Sequence, residues 1–244
     1  MTGTNKIKLL VSPVDLREAG LVARAGVDIL DLKNVKEGSL GANFPWVLAR
    51  IIAKFRRSPV KFSAAIGDLD FKPGSAALAA YAAASIGADY VKGGLYGVRT
   101  EARALQLAAA VVKGVKTADP RAMAVISGYA DWRRFGGLAP WPLVRAAKKA
   151  GADVVMLDTA VKDGRSLFDN MTGAEIARFI SLARAAGLKT ALAGSVKSSH
   201  LPAIRALRPD IVGLRGAVCL GGDRSRSVCP RRLASIRGLM GTGA

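Results

Sequence analysis

The amino-acid sequence predicts an α/β fold, namely a single-domain (β/α)8 barrel that spans residues 1–244. Three observations lead to this prediction. Eight short apolar runs alternate with helical segments along the chain. A phrase made of a small residue, Gly or Pro, a spacer, Asp and an apolar run occurs four times. Lysine or aspartate follows several of the apolar runs directly, as catalytic residues follow the strands of a TIM barrel.

The predicted strands are short and rich in β-branched and other apolar residues. Four of them belong to the recurring phrase, in which Gly or Pro ends the preceding helix; these phrases lie at residues 25–30, 86–91, 150–155 and 208–212. The other four strands are predicted at residues 7–11, 60–66, 122–126 and 189–192. Such a series is typical of successive βα units.

Helices are predicted between these strands at residues 44–55, 75–85, 100–116, 141–149 and 173–186. Eight strands alternating with helices over about 250 residues fit the closed barrel. A doubly wound open sheet is the alternative. Against it, no Gly-x-Gly-x-x-Gly motif follows the first strand, where a dinucleotide-binding fold would place one.

The composition limits the classes of function. Half of the residues are hydrophobic, which is enough for a large core, yet no apolar run is long enough to span a bilayer. Residues 1–6 lead into the first strand without a secretory signal, so we predict a cytoplasmic protein without membrane association. Cys219 and Cys229 are then expected to be free thiols, with a disulfide as the alternative. His200 is the one histidine, so the side chains indicate no metal site and no organic cofactor.

The net charge of +19 raises the question of a nucleic-acid partner. The basic residues are spread over predicted helix faces, and aromatic residues make up only 6% of the chain. We therefore favour a solvated basic surface that steers small anionic substrates, and expect no nucleic-acid partner.

Leu and Ala on the predicted helix faces favour a homo-oligomer.

Five charged residues at the predicted strand ends form the candidate active site: Asp31, Lys33, Lys92, Asp158 and Lys162. A buried charge without a partner costs several kcal/mol, so charges at the ends of buried strands need a reason. A lysine beside other cations in a barrel holds more free amine near neutral pH and can act as a Schiff-base nucleophile. Carboxylates can exchange the protons of such a reaction. The alternative is that these pairs are salt bridges that lock the barrel rim.

Serines and an asparagine close other strands and could supply hydrogen bonds: Ser12, Asn34, Ser63 and Ser127.

Two glycine-containing loops indicate a phosphate site. Gly194 and Ser195 follow the seventh strand, and Arg215 and Gly216 follow the eighth. These are the usual positions of a phosphate site in a TIM barrel, where backbone N–H groups approach the anion and Arg215 adds charge. The alternative is that the glycines only turn the chain. The long loop at residues 34–46 is a candidate lid or substrate-binding loop, although Asn43 also suits the cap of a helix that starts there.

Several of these segments together resemble the (5-formylfuran-3-yl)methyl phosphate synthase family. They lie at residues 10–13, 31–34, 36–46, 91–95, 156–159 and 162–164. The block at 36–46 is the most specific of them. The resemblance runs from the first strand to the loops at 194–195 and 215–217 and so covers nearly the whole chain.

The resemblance implies a TIM-barrel lyase of methanofuran biosynthesis, in one-carbon metabolism. Such an enzyme condenses two molecules of glyceraldehyde 3-phosphate into 4-(hydroxymethyl)-2-furancarboxaldehyde phosphate, with loss of phosphate and water. By the family pattern Lys33 is the Schiff-base lysine, and Lys92, Asp31, Asp158 and Lys162 match the remaining catalytic lysines and aspartates. A class I aldolase or sugar-phosphate isomerase on the same barrel is the alternative within enzymes. A nucleic-acid-binding protein is the alternative from another class.

Overall fold

The structure is a computed structural model and describes residues 6–241. Eight parallel strands form a closed barrel in chain order, with β1 paired to both β2 and β8. The strands are β1 Lys8–Val11, β2 Ile29–Leu32, β3 Lys61–Asp68, β4 Tyr90–Gly94, β5 Met123–Tyr129, β6 Val154–Asp158, β7 Lys189–Leu192 and β8 Ile211–Leu214. The predicted (β/α)8 barrel is confirmed, and the open sheet is excluded.

Helices surround the barrel and follow the strands in turn. They are α1 Leu16–Arg24, α2 Pro45–Phe55, α3 Pro73–Ser85, α4 Glu101–Ala118, α5 Pro140–Ala150, α6 Leu167–Asn170, α7 Gly173–Ala185, α8 Leu201–Leu207 and α9 Pro230–Leu239. Short 3-10 turns lie in the loops, at Trp132–Arg134, Ser198–His200, Gly216–Val218 and Leu220–Gly222. Within residues 6–241, no helix combines the length and the apolar character needed to cross a membrane.

The start of α2 differs from the prediction. Asn43 was expected to cap this helix, but the helix begins at Pro45 and Phe44 occupies the cap position. The Asn43 side chain accepts a hydrogen bond from the Phe44 backbone N–H, at 2.9 Å. Because proline has no N–H, the first turn has one donor fewer to satisfy, and the cap position does not require a polar side chain here.

The aspartate of the recurring phrase ties neighbouring strands together at the N-terminal end of the barrel. Each of the four aspartates precedes an even-numbered strand and accepts a hydrogen bond from a backbone N–H of the odd-numbered strand before it. The pairs are Asp28 with Leu9 (2.9 Å), Asp89 with Phe62, Asp153 with Ala124 and Asp210 with Thr190 (2.8 Å each). The phrase is therefore a structural device as well as a marker of βα units.

The barrel interior changes from apolar to polar along its axis. The part further from the C-terminal ends of the strands is filled by a cluster of apolar side chains: Leu10, Ile29, Tyr90, Val125, Val154, Met156, Ala191, Ala193 and Ile211. Nearer the C-terminal ends of the strands the buried side chains are polar or charged, and they include Ser12, Asp31, Lys92 and Asp158. The fold thus places the charged residues at the end of the barrel where TIM-barrel enzymes hold their active sites.

Candidate active site

A cavity of about 650 Å³ opens at the C-terminal ends of the strands. Its lining includes four of the five predicted catalytic residues and all four predicted phosphate-binding residues: Asp31, Lys33, Asp158, Lys162, Gly194, Ser195, Arg215 and Gly216. These residues come from the C-terminal ends of four strands, β2, β6, β7 and β8, and the loops that follow them, and closure of the barrel brings them together.

Asp31 is the centre of the first charged cluster. Its carboxylate accepts a hydrogen bond from the Ser12 hydroxyl at 2.8 Å, so Ser12 does supply a hydrogen bond as expected. Its second oxygen lies 2.5 Å from Lys92 Nζ. Lys33 Nζ lies 3.9 Å from the same carboxylate and donates to the Ser39 carbonyl oxygen at 3.1 Å. The Lys33 amine is therefore oriented at the cavity wall by one hydrogen bond, to Ser39, and one ion pair, with Asp31.

Lys92 lies deeper than the sequence suggested. It was expected at the end of β4, but it occupies the middle of that strand, and its side chain is 2% exposed. Lys92 does not belong to the cavity lining. Its ammonium group lies behind Asp31 as seen from the cavity, and it is joined to the cavity wall by this ion pair.

The second charged cluster is built on Asp158, the last residue of β6. Its Oδ1 accepts from Lys162 Nζ and from the Thr159 backbone N–H, both at 2.7 Å. Lys162 Nζ also donates to the Thr159 hydroxyl at 3.0 Å. One carboxylate and one amine are thus fixed on the cavity side opposite β2.

Burial and neighbouring charges set the protonation of both clusters. Burial by itself raises the pKa of Asp31, but Lys92 and Lys33 outweigh it and hold this pKa below its usual range. In the same way burial raises the pKa of Asp158, and Lys162 and Lys33 bring it well below the usual range. Burial lowers the pKa of Lys92 and Lys162 despite their carboxylate partners. The site combines ionised carboxylates with lysines that release a proton more readily than usual, which is typical of catalytic sites.

The two loops in which the sequence predicts a phosphate site, after β7 and after β8, both border the cavity. Gly194 has a φ of +100° and Ser195 a φ of +47°, both in the left-handed region. A Cβ at Gly194 would lie 2.8 Å from the backbone nitrogen of Thr159, which directly follows β6. Only glycine therefore fits where the loop after β7 passes the loop after β6. At the eighth strand, a Cβ at Gly216 would lie 2.9 Å from the Gly222 carbonyl oxygen. At both positions the absence of a side chain lets two backbone segments of the protein approach each other closely.

Arg215 differs from the expectation that its guanidinium binds the phosphate. Its N–H groups donate to the buried Glu18 carboxylate, and the shortest of these hydrogen bonds joins Nη1 to Glu18 Oε2 at 2.5 Å. They also donate to the carbonyl oxygens of Ser12, Arg224 and Arg226. All five donors of the guanidinium group have protein partners in this arrangement. Arg215 therefore fixes the loop after β8, and its side chain has no donor left for a substrate phosphate.

Other cations face the cavity instead, and the sequence did not single them out. They are Lys197 in the loop after β7, Arg224 in the loop after β8, and Arg232 in α9. The signal was hidden because the chain contains 37 lysines and arginines. Glu18 was missed for another reason: its partner lies 197 positions further along the chain.

Within the described part of the chain, His, Cys, Asp and Glu side chains do not come together in groups of three that could hold a metal ion. Cys219 and Cys229 are free thiols, as predicted. The functional groups available to a substrate are therefore amines, guanidinium groups, carboxylates, hydroxyls and backbone N–H groups.

Solved TIM-barrel structures have the same fold. The chain resembles KGPDC from Streptococcus mutans with a TM-score of 0.67 and 14% identity, covering 97% of this chain and 98% of that one. It resembles 3-hexulose-6-phosphate synthase from Salmonella typhimurium with a TM-score of 0.64 and 19% identity, covering 94% and 98%. At such identities the likeness concerns the fold alone. By its fold, the protein belongs to the class of TIM barrels, and its cavity lies at the end of the barrel where enzymes of that class hold their active sites.

Sequence comparison narrows this class to one family. The 4-HFC-P synthase family profile matches residues 9–237. The (5-formylfuran-3-yl)methyl phosphate synthase of Methanosarcina barkeri is 49% identical over 223 residues, which cover 91% of this chain and 94% of that protein. The synthase of the same name from Methanocaldococcus jannaschii is 48% identical over 225 residues, with 92% and 95% covered. The chain belongs to the (5-formylfuran-3-yl)methyl phosphate synthase family, as the sequence segments indicated.

Proposed function

We propose that the protein condenses two molecules of glyceraldehyde 3-phosphate into 4-(hydroxymethyl)-2-furancarboxaldehyde phosphate, a precursor of the furan ring of methanofuran. The observation that carries this proposal is the position of Lys33. Its amine lies at the wall of a cation-rich cavity, between the Ser39 carbonyl oxygen and the Asp31 carboxylate. The chain is also 49% identical to a (5-formylfuran-3-yl)methyl phosphate synthase. Schiff-base chemistry on the carbonyl group of a triose phosphate needs such an amine.

The first stage forms the covalent intermediate. One triose phosphate isomerises to its ketone, and the Lys33 nitrogen attacks the ketone carbon. Loss of water gives the imine, and loss of a proton from the neighbouring carbon gives an enamine. Asp31 supports this stage because its pKa, lowered by Lys92 and Lys33 against the effect of burial, leaves it ionised and able to exchange protons.

The second stage joins the two substrates. The enamine carbon attacks the aldehyde of the second triose phosphate, which forms the new carbon–carbon bond. Elimination of one phosphate, release of the Lys33 amine by water, ring closure and dehydration then give the furan. Overall, two triose phosphates yield the product, one phosphate and two waters, with no external oxidant or reductant. In this proposal Asp158 and Lys162, which are hydrogen-bonded to each other, exchange protons and stabilise the departing phosphate.

Substrate phosphate is bound by the loops after β7 and β8 in this proposal. Gly194, Ser195 and Gly216 border the cavity, and their backbone N–H groups are the proposed donors to the phosphate, while Lys197 and Arg232 supply positive charge. Arg215 supports the arrangement indirectly by fixing the loop that carries Gly216.

The test is product analysis with purified protein and glyceraldehyde 3-phosphate. We expect inorganic phosphate and an ultraviolet-absorbing furan aldehyde to form in equal amounts. An acyclic sugar phosphate without phosphate release would instead identify an aldolase or isomerase on the same barrel. The control is a Lys54→Ala variant, which changes an exposed charge on α2 and should retain full activity.

A further inference from the structure

A second cavity of about 500 Å³ adjoins the active site on the side of the loop at residues 34–44. Its lining consists of Val35, Lys36, Gly38, Ser39, Ala160, Lys162, Arg224 and Ser225. Two of these residues, Lys162 and Arg224, also line the main cavity. The two spaces therefore meet at a pair of cations.

The charge of this second cavity is entirely positive. Three of its lining side chains are cations, and none is acidic. Lys162 is paired with Asp158. Lys36 and Arg224, in contrast, form no ion pair with a carboxylate within residues 6–241. Cations that converge on a concave surface without a counter-ion are an arrangement suited to an anionic ligand.

Ser39 supplies an independent observation. Its side chain is buried with 1% of the residue exposed, and its hydroxyl group has no hydrogen-bond partner. A buried hydroxyl without a partner is unfavourable and calls for a ligand or water. The backbone carbonyl oxygen of Ser39 accepts a hydrogen bond from Lys33 Nζ at 3.1 Å. Ser39 thus lines the second cavity and also contacts the reactive amine.

The loop that carries Lys36 and Ser39 is held in place by β3 and β5. Asp68, at the end of β3, accepts from the Leu40 backbone N–H at 3.2 Å and from the Tyr129 hydroxyl. Gly38 has a φ of +129°, and a Cβ there would collide with Asp68. The second cavity is thus formed by a fixed loop, which fits the expectation of a substrate-binding loop at residues 34–46.

We propose that this second cavity binds the phosphate of the second triose phosphate, with Lys36, Arg224 and the Ser39 hydroxyl as its ligands. This inference rests on the proposed condensation, in which two substrates each carry a phosphate. The loops after β7 and β8 hold the phosphate of the molecule bound to Lys33, and the second cavity holds the other. Lys162 lies between the two, where it can contact the phosphate that departs.

The proposal is tested with Lys36→Ala, Ser39→Ala and the matched control Lys54→Ala, which removes the same charge from the exposed face of α2. Furan formation is measured against glyceraldehyde 3-phosphate at a fixed concentration of dihydroxyacetone phosphate. For Lys36→Ala and Ser39→Ala the half-saturating aldehyde concentration should rise, about tenfold for the loss of the charged contact. Borohydride trapping of dihydroxyacetone phosphate on Lys33 should remain unchanged, since the first substrate does not use these side chains.

Two kinetic results would overturn the proposal. One is an unchanged half-saturating concentration in Lys36→Ala, and the other is an equal rise in Lys54→Ala, which would assign the effect to overall charge. Titration with inorganic phosphate, followed by phosphorus NMR, separates this inference from the proposed function. The wild type should bind phosphate at two sites and Lys36→Ala at one, even if no furan is formed. A single site in the wild type contradicts the second cavity as a phosphate site.

Discussion

Asp31 illustrates how a buried charge is kept ionised in this barrel. Its carboxylate is buried, yet it contacts the Ser12 hydroxyl and two lysines, Lys33 and Lys92. Lys92 is nearly inaccessible and has Asp31 as its ion-pair partner among the described residues. Lys92 therefore compensates the negative charge of Asp31, and we expect it to influence the reaction through this carboxylate.

Replacing Lys92 with methionine should test this role. Lys92→Met leaves the Asp31 charge with weaker compensation, so the free energy of unfolding should fall by about 3 kcal/mol in urea denaturation, and turnover should be lost. The double variant Asp31→Asn/Lys92→Met should regain most of the stability and remain inactive. Lys113→Met, an exposed control on α4, should change neither quantity. Full activity in Lys92→Met would show that Asp31 does not need this partner.

At the residue scale, the sequence predicted which side chains meet but not how each is used. Asp31, Lys33, Asp158 and Lys162 reach the cavity because they lie at or just after the C-terminal ends of parallel strands, which meet at one end of the barrel. The depth of Lys92 depends on the extent of β4, which runs two residues beyond it and which the apolar run did not indicate.

At the scale of elements, a buried ion pair joins α1 to the loop after β8. Glu18 of α1 accepts from Arg215, from the Val14 backbone N–H at 3.0 Å and from the Val228 backbone N–H at 2.9 Å. Arg215 in turn binds the carbonyl oxygens of Arg224 and Arg226. The pair fixes both ends of the loop at residues 216–228, which lines the cavity. Sequence reasoning could not find it, because these partners are remote in the chain.

The variant Glu18→Gln should loosen this loop. We expect a fall in the free energy of unfolding of about 3 kcal/mol and a rise in KM with a smaller change in kcat, because the reactive groups stay in place. Glu101→Gln, which breaks an exposed ion pair with Arg145, is the control and should have a much smaller effect. A Glu18→Gln protein with wild-type stability and wild-type KM would rule out the clamp.

The same ion pair gives stability a dependence on pH. Burial raises the pKa of Glu18, but the hydrogen bonds from Arg215, Val14 and Val228 bring the pKa below its usual value. The folded state therefore binds fewer protons than the unfolded state as the pH falls through the usual titration range of glutamate. The stabilisation is present above that range and is lost below it. In acid, the stability difference between Glu18→Gln and the wild type should therefore shrink.

At the scale of the whole molecule, the two ends of the barrel have different tasks. The recurring aspartates stabilise the N-terminal end, and the lysine–aspartate clusters occupy the C-terminal end. The fold was predictable because its signals are local in the sequence, whereas the arrangement of the cavity was not. Strand periodicity, helix stops and the repeated phrase are local signals, and the closed barrel follows from their number and order. The positions of the cations in the cavity are set by side-chain contacts between distant loops, which leave no local signal.

The two ends of β6 allow a direct comparison. Asp153 before β6 accepts from the Ala124 backbone N–H and lies 2.9 Å from Lys116, so Asp153→Ala should lower the free energy of unfolding by about 1–2 kcal/mol without changing kcat. Asp158→Asn, at the other end of the strand, should lower kcat by about 100-fold or more. Thermal unfolding and steady-state kinetics on both variants check this. A loss of kcat in Asp153→Ala would mean that the ends of the barrel are not independent.

The most direct test of the central claim is borohydride trapping during turnover of glyceraldehyde 3-phosphate, followed by peptide mass spectrometry. The account predicts one reduced triose phosphate adduct, located on Lys33, and no adduct in Lys33→Arg. An adduct on Lys162 instead, or furan formation at the wild-type rate by Lys33→Arg, would contradict Lys33 as the nucleophile.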